Sequence, residues 1–311
     1  MLFRDLNLSQ RSSAKLWPFT ARFIAAEEGL ARSVETKGPW VSGLYEFLRF
    51  GIKQGWACLF GGLMVALLIA TKLWYPASAS LERYDFLFIA AILIQGGLIV
   101  TRLETLEEAK VILLFHVVGT LMEIFKTSVG SWAYPEASLF RIGGAPLFAG
   151  FMYAAVGSYL ARVWRLFDFR FTHHPPVWAA ILLSVGIYVN FFTHHYTTDF
   201  RLVLFCFTAL LFGRTNVYFK VWRVHRRMPL LLGFLLVSLF IWFAENIGTI
   251  TGAWLYPHQL KGWSMVPFTK LGAWFLLMII SYVMIAALNR PQPFTIEKKA
   301  QPASQPEPAR V

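Results

Sequence analysis

Charge is scarce in this chain, and negative charge scarcest of all. Asp, Glu, Lys and Arg make up 15% of its 311 residues, with 17 carboxylates against 29 Lys and Arg. Soluble domains carry about a quarter charged residues, so a water-facing surface of ordinary make-up is excluded. Cysteines number two, Cys58 and Cys206, both inside apolar runs. That excludes a disulfide framework, and lone apolar thiols read as small core residues. A Gly-rich phosphate loop, a nucleophile elbow, a Rossmann fingerprint and an H-E-x2-H helix are all missing. No cofactor is expected.

Hydrophobic residues fill that space: 57% of the chain, 17% of it aromatic, with a mean hydropathy of +0.53. A soluble fold would leave large apolar patches in water. The apolar runs are continuous rather than alternating, so they read as spanning helices; lipid offers the backbone no hydrogen-bond partner. The fold class is therefore an all-α polytopic membrane bundle. Eight spans are expected, at about 54–75, 85–101, 109–126, 146–165, 177–195, 200–219, 229–247 and 266–288.

The net charge of +12 follows the same topology. With the N-terminus in the cytoplasm, only seven cations lie outside: Lys72, Arg83, Lys126, Arg141, Arg201, Lys261 and Lys270. This positive-inside bias places both termini on the cytoplasmic side of a bacterial inner membrane, with the inner cations against anionic headgroups. Membrane lipid is the expected partner, and nucleic acid is not. Residues 1–53 read as an interfacial amphipathic segment, with Val41, Leu44, Leu48 and Ile52 on one face. Residues 289–311 read as a disordered cytoplasmic tail. No secretory signal peptide is expected at the N-terminus.

One pattern occurs twice. "EIFKTSVGSWAYP" from Glu123 and "ENIGTITGAWLYP" from Glu245 both read E-x3-T-x2-G-x-W-x-Y-P, 122 residues apart. The same offset maps Trp56-Ala57 onto Trp178-Ala179 and Thr71 onto Thr193. Two four-helix repeats follow, 54–165 and 166–288. Four helices per unit give both halves the same orientation, as in parallel-repeat transporters.

His116, Thr120, Glu123 and Thr127 are spaced 4, 3 and 4 residues apart, which is one helical stripe. Ser238, Glu245 and Thr249 occupy the matching positions of the second half. Polar stripes in spanning helices face the bundle interior. The candidate catalytic set is thus Glu123, Glu245 and His116. Thr127, Thr249, Trp132, Tyr134, Trp254 and Tyr256 are candidate substrate-binding residues. An acid kept neutral by a low-dielectric cavity can protonate an alkene, and aromatic faces stabilise the resulting cation. The same acids can relay protons in transport, or simply pin the following turn in a structural protein. His194, His195 and His258 lie on the motif side without metal-ligand spacing, and no metal is expected.

The stretch "FHVVGTLMEIFKTSVGSWAYPEASLFRIGGAPLFAGFMYAAVGSYL" and its echo "FAENIGTITGAWLYPHQLKGWSMVPFTKLGAWF" resemble the YoaT-like family of bacterial integral membrane proteins. The resemblance spans about residues 40–290 and implies no activity. The chain is more distantly similar to carotenoid biosynthesis membrane proteins, the heterodimer-type lycopene cyclases and carotenoid hydratases. They place an acid nine residues before the tryptophan of a G-x-W-x-Y-like turn, as do Glu123 and Trp132, and Glu245 and Trp254. In that group acids protonate isoprenoid double bonds. The cyclases continue with Pro-x-Glu-Glu, where this chain has Pro146-Leu147-Phe148 and Pro267-Phe268-Thr269. The resemblance therefore implies an isoprenoid-sized cavity with two acids rather than cyclisation.

Overall fold

The computed structural model describes residues 29–34, 37–101 and 103–295. Of the expected interfacial segment, residues 1–28, 35 and 36 lie outside this range; of the expected tail, residues 296–311 do.

Among the described residues, nine α-helices follow residue 38: α1 Pro39–Ala57, α2 Leu59–Trp74, α3 Arg83–Val100, α4 Leu106–Ser128, α5 Phe148–Leu166, α6 Val177–Thr193, α7 Arg201–Phe212, α8 Leu230–Ile250 and α9 Lys270–Asn289. Four of them, α3, α4, α8 and α9, are long and apolar enough to cross a membrane. The bent pair α1 and α2, turned by 68°, raises the number to five. Their outward faces carry bare apolar side chains such as Leu93, Leu113, Leu236 and Phe240. A water-soluble monomer does not present such a surface; this is a membrane protein.

Each of the eight expected spans contains a helix, but three differ from a simple span. Helices α6 and α7 have 17 and 12 residues, short for a 30 Å apolar layer. Helix α5 carries Arg162 and Arg165, and it lies against α1, α2, α3, α4 and α9. A helix enclosed by protein needs no lipid-compatible surface, so composition alone misjudges it. Gly150 and Gly157 let α4 approach closely, because a Cβ at either would collide with His116 and Thr120 or with Phe115. Arg162 is fully buried and donates to Glu104 at 3.0 Å, which also accepts from Ser158 and Gln95. Pairing of this kind is what makes a buried charge tolerable. Helix α4 begins with a capping box: Thr105 Oγ1 accepts from the Glu108 amide, and Glu108 accepts from the Thr105 amide.

The all-α reading needs one correction. The run 200–219 does not stay helical: after α7 the chain turns into a strand at 216–220. Three antiparallel strands, β3 Arg170–Thr172, β4 Asn216–Lys220 and β5 His225–Pro229, form a small sheet at the bundle end opposite the repeated motifs. A two-residue hairpin, β1 Arg141–Ile142 with β2 Ala145–Pro146, lies at the motif end.

Helix α1 is inverted relative to a soluble amphipathic helix. Val41, Leu44, Leu48 and Ile52 point outward, while Tyr45, Arg49 and Lys53 face the protein. Lys53 Nζ donates to the carbonyls of Leu166 and Lys220. The cysteines also differ from expectation: Cys58 and Cys206 sit on outward faces rather than in the core. A thiol packs as a small apolar group, so an outward lipid-facing position suits it as well as a core position does.

Candidate functional site

The two motifs meet at one end of the bundle. Each starts in the last turns of a helix, α4 or α8, and turns at a glycine with φ of 70°, Gly130 and Gly252. That left-handed conformation suits glycine because it carries no Cβ. The caps match: Gly130 N donates to Thr127 O, and Gly252 N to Thr249 O. Past the turn, Ala133 and Leu255 exchange two backbone hydrogen bonds, each 2.9 Å. These residues are themselves 122 positions apart, so the motifs pair with each other through equivalent positions.

Both carboxylates are buried. Trp132 Nε1 donates to Glu123 at 2.7 Å and the Tyr134 hydroxyl donates to the same oxygen at 2.6 Å. Glu245 accepts from the Tyr256 hydroxyl and from Trp274 Nε1 of α9. Tyr153 of α5 faces Glu123 and lies within electrostatic reach of Glu245. Burial first, then the adjacent Glu123 carboxylate, push the Tyr134 hydroxyl well above the usual tyrosine range; burial and Glu245 do the same for Tyr256. Both phenols therefore stay protonated and remain donors.

Of the residues expected from sequence, the structure gathers Glu123, Trp132 and Tyr134 around one acid. Around the other it gathers Glu245 and Tyr256. The two sets touch through Trp132 and Tyr256, edge to face with centroids 6.1 Å apart. The remaining four stand apart. The Trp254 ring packs on Gly248, where a Cβ would collide with it. Thr249 Oγ1 donates to Asn246 O and accepts from Trp263 Nε1. Thr127 Oγ1 is buried without a hydrogen bond among the described residues. His116 packs against Phe151 with ring centres 4.3 Å apart and tilted by 41°, two helical turns below Glu123, with Nδ1 unpartnered among the described residues. Among the described residues, no three His, Cys, Asp or Glu side chains are placed to hold a metal ion.

Sequence reading missed Tyr153 and Trp274. Both lie near the start of the helix after a motif, 30 and 29 residues beyond its glutamate. Because the two spacings differ by one, the repeat offset does not superpose them. The available signal was an aromatic with a polar edge at the motif end of each following span. Below them runs an apolar groove lined by Phe115 and Met122 of α4, Tyr153 of α5, Ile241 of α8, and Trp274 and Met284 of α9.

A family model described as "Protein of unknown function (DUF817)" matches residues 46–282. The chain belongs to this family. A relative, the uncharacterised protein YoaT of Bacillus subtilis (strain 168), is 42% identical over 245 residues, covering 79% of this chain and 92% of YoaT. Among solved structures, the cross-linked MvINS trimer is similar at 15% identity with a TM-score of 0.41, over 61% of this chain and 98% of that one. The family match spans both motifs, three of the four long apolar helices and the first part of α9.

Proposed function

We propose that the protein binds a long apolar lipid of isoprenoid type in the groove between α4, α5, α8 and α9, and that Glu123 and Glu245 act on it as an acid/base pair. One observation carries this reading: Tyr153 and Trp274 both face the buried carboxylates and line the groove. A chain lying in the groove would therefore meet the acids at its motif end. The chemistry this suits is hydration. A carboxyl O–H gives its proton to one alkene carbon, and the cation on the other faces Tyr153, Trp132 and Trp274. Water adds there, and its proton returns to the carboxylate, so the acid is regenerated. His116 serves as proton partner from the same helix face, and Trp254, Thr127 and Thr249 back the walls.

The same reading treats the bundle as eight helices in two parallel repeats, 54–165 and 166–288, flanked by the interfacial segment 1–53 and the tail 289–311. The equal φ at Gly130 and Gly252 and the mutual Ala133–Leu255 bridge support it. The charge bias supports an inner membrane with both termini cytoplasmic.

The test is mass spectrometry of lipid co-purifying with wild type and with the Glu123→Gln, Glu245→Gln double variant. A defined isoprenoid enriched in wild type, and altered in amount or hydration state in the variant, is expected. Bulk phospholipid alone in both samples sinks the proposal and turns attention to proton-coupled flux through the same acids. Unchanged cellular phenotype as well leaves a structural protein.

A further inference from the structure

We propose that a cleft between the end of α2, the start of α3 and the loop after the first motif seats a zwitterionic lipid headgroup of phosphoethanolamine type. Lys72 takes its phosphate and Glu82 its ammonium. The inference is independent of the acid/base reading above, because this cleft shares no lining residue with the groove.

The cleft holds about 390 Å³, a volume ordinary for a small-ligand site. Lys72 lines it from the last turn of α2, and Tyr75 and Leu81 from the α2–α3 loop. Glu82 and Arg83 line it from the start of α3, and Glu136 from the loop beyond Tyr134. Two of these four charges cancel. Arg83, 7% exposed, forks onto Glu136 at 2.6 and 2.8 Å, and its Nη1 donates to Thr251 O. Asp85, the next carboxylate on α3, is occupied by the amides of Leu139 and Phe140. The other two charges are unspent. Neither the Lys72 ammonium nor the Glu82 carboxylate makes a hydrogen bond or ion pair among the described residues, nor do they pair with each other. Lys72 Nζ stands beside the second motif's turn, 3.8 Å from the place of a Cβ on Gly252.

An unpaired cation and an unpaired anion in one cleft complement a ligand that carries both charges. A purely anionic headgroup meets Glu82 as a like charge, and a purely cationic one meets Lys72. The surroundings favour a lipid over a free solute. Leu73 and Trp74, directly after Lys72, are exposed. An indole at the end of an apolar helix marks the headgroup level of a bilayer. Acyl chains therefore find an apolar surface next to a phosphate held on Lys72. The site occurs once, since the 122-residue offset maps Lys72 and Glu82 onto His194 and Leu204.

The experiment uses the full-length protein in phosphatidylcholine nanodiscs holding equal, small amounts of phosphatidylethanolamine and phosphatidylglycerol. Native mass spectrometry counts the lipid that stays bound on release. A part-exposed charge pair is worth at most about fivefold in affinity. Wild type is therefore expected to keep about three to five times more phosphatidylethanolamine than phosphatidylglycerol. Glu82→Gln should even the two, because it removes the contact that the ammonium alone makes. Lys72→Gln should lower both, and Lys72→Arg should restore both. Lys72 and Glu82 are exposed, so these variants fold as wild type does. Equal retention by wild type, an ethanolamine preference that survives Glu82→Gln, or retention untouched by Lys72→Gln overturns the proposal. Displacement of the lipid by free phosphoethanolamine at equal concentration also overturns it, in favour of a soluble zwitterion.

Discussion

The two motifs share a backbone and differ in how they hold their acid. Glu123 takes both donors from its own turn, Trp132 and Tyr134. Glu245 takes its phenol from its own turn, Tyr256, but its indole from the next helix, Trp274. The cause lies three residues after each glutamate. That position is Lys126 in the first motif and Gly248 in the second. Gly248 leaves space for the Trp254 ring, which settles on the helix and away from the acid. Trp274 then supplies the indole, whereas the matching residue in the first half, Met152, has no N–H to offer. Two different routes give each carboxylate an indole and a phenol, with Tyr153 of α5 a second phenol beside Glu123, so the donor pair is held more tightly than the residue that provides it.

Four measurements can break or sharpen this comparison. The largest effect is expected from Gly248→Lys, which puts the first motif's residue into the second. It has to expel Trp254 from the helix surface, at about 3 kcal/mol, read as a lowered unfolding temperature in detergent. If stability holds, Gly248 is not what seats Trp254. Next come the indoles. Trp132→Phe and Trp274→Phe each remove a donor from a buried carboxylate, worth about 2 kcal/mol, and should shift its infrared band. Trp254→Phe should leave both carboxyl bands in place, and a shift there would undo the proposed division of roles.

Smaller is the cost of Gly130→Ala and Gly252→Ala, about 1 kcal/mol each for a Cβ at φ of 70°. The two should match, and unequal losses would show that the turns are not equivalent. Smallest is a pH effect confined to the first motif. Burial first, then the Lys126 ammonium, hold His195 below the usual histidine range, so its neutral ring accepts from Lys126. A histidine depressed in the folded state contributes stability above its unfolded pKa of about 6.5 and loses it as pH falls through the folded value. Wild type should therefore soften below about pH 6, and His195→Asn should soften slightly less. Identical pH profiles would remove His195 from the account.

Much of the site could be read before the fold. The repeated motif marks both glutamates, both turns and three of the four residues that donate to the glutamates, although it reads Trp132, Tyr134 and Tyr256 as substrate walls rather than as donors. The misses all come from contacts distant in sequence. Tyr153 and Trp274 reach the acids only through helix packing. Glu104 looks like a loop charge, and Arg162 like a stray charge inside the 146–165 run, until α5 is seen enclosed by its neighbours. The strand 216–220 reads as the end of an apolar run, since Val217, Tyr218 and Phe219 suit either a span or a pleated sheet. Hydropathy reports what faces lipid, and α5 faces little of it.

The Ala133–Leu255 bridge has a consequence for assembly. Each residue donates one hydrogen bond to the other and accepts one in return, so one surface patch meets its own equivalent. Contacts of that form are isologous, the kind that close a twofold dimer and leave no further copy a place to add. Here a single polypeptide supplies both sides. The Ala133 and Leu255 amides and carbonyls are thereby satisfied in cis.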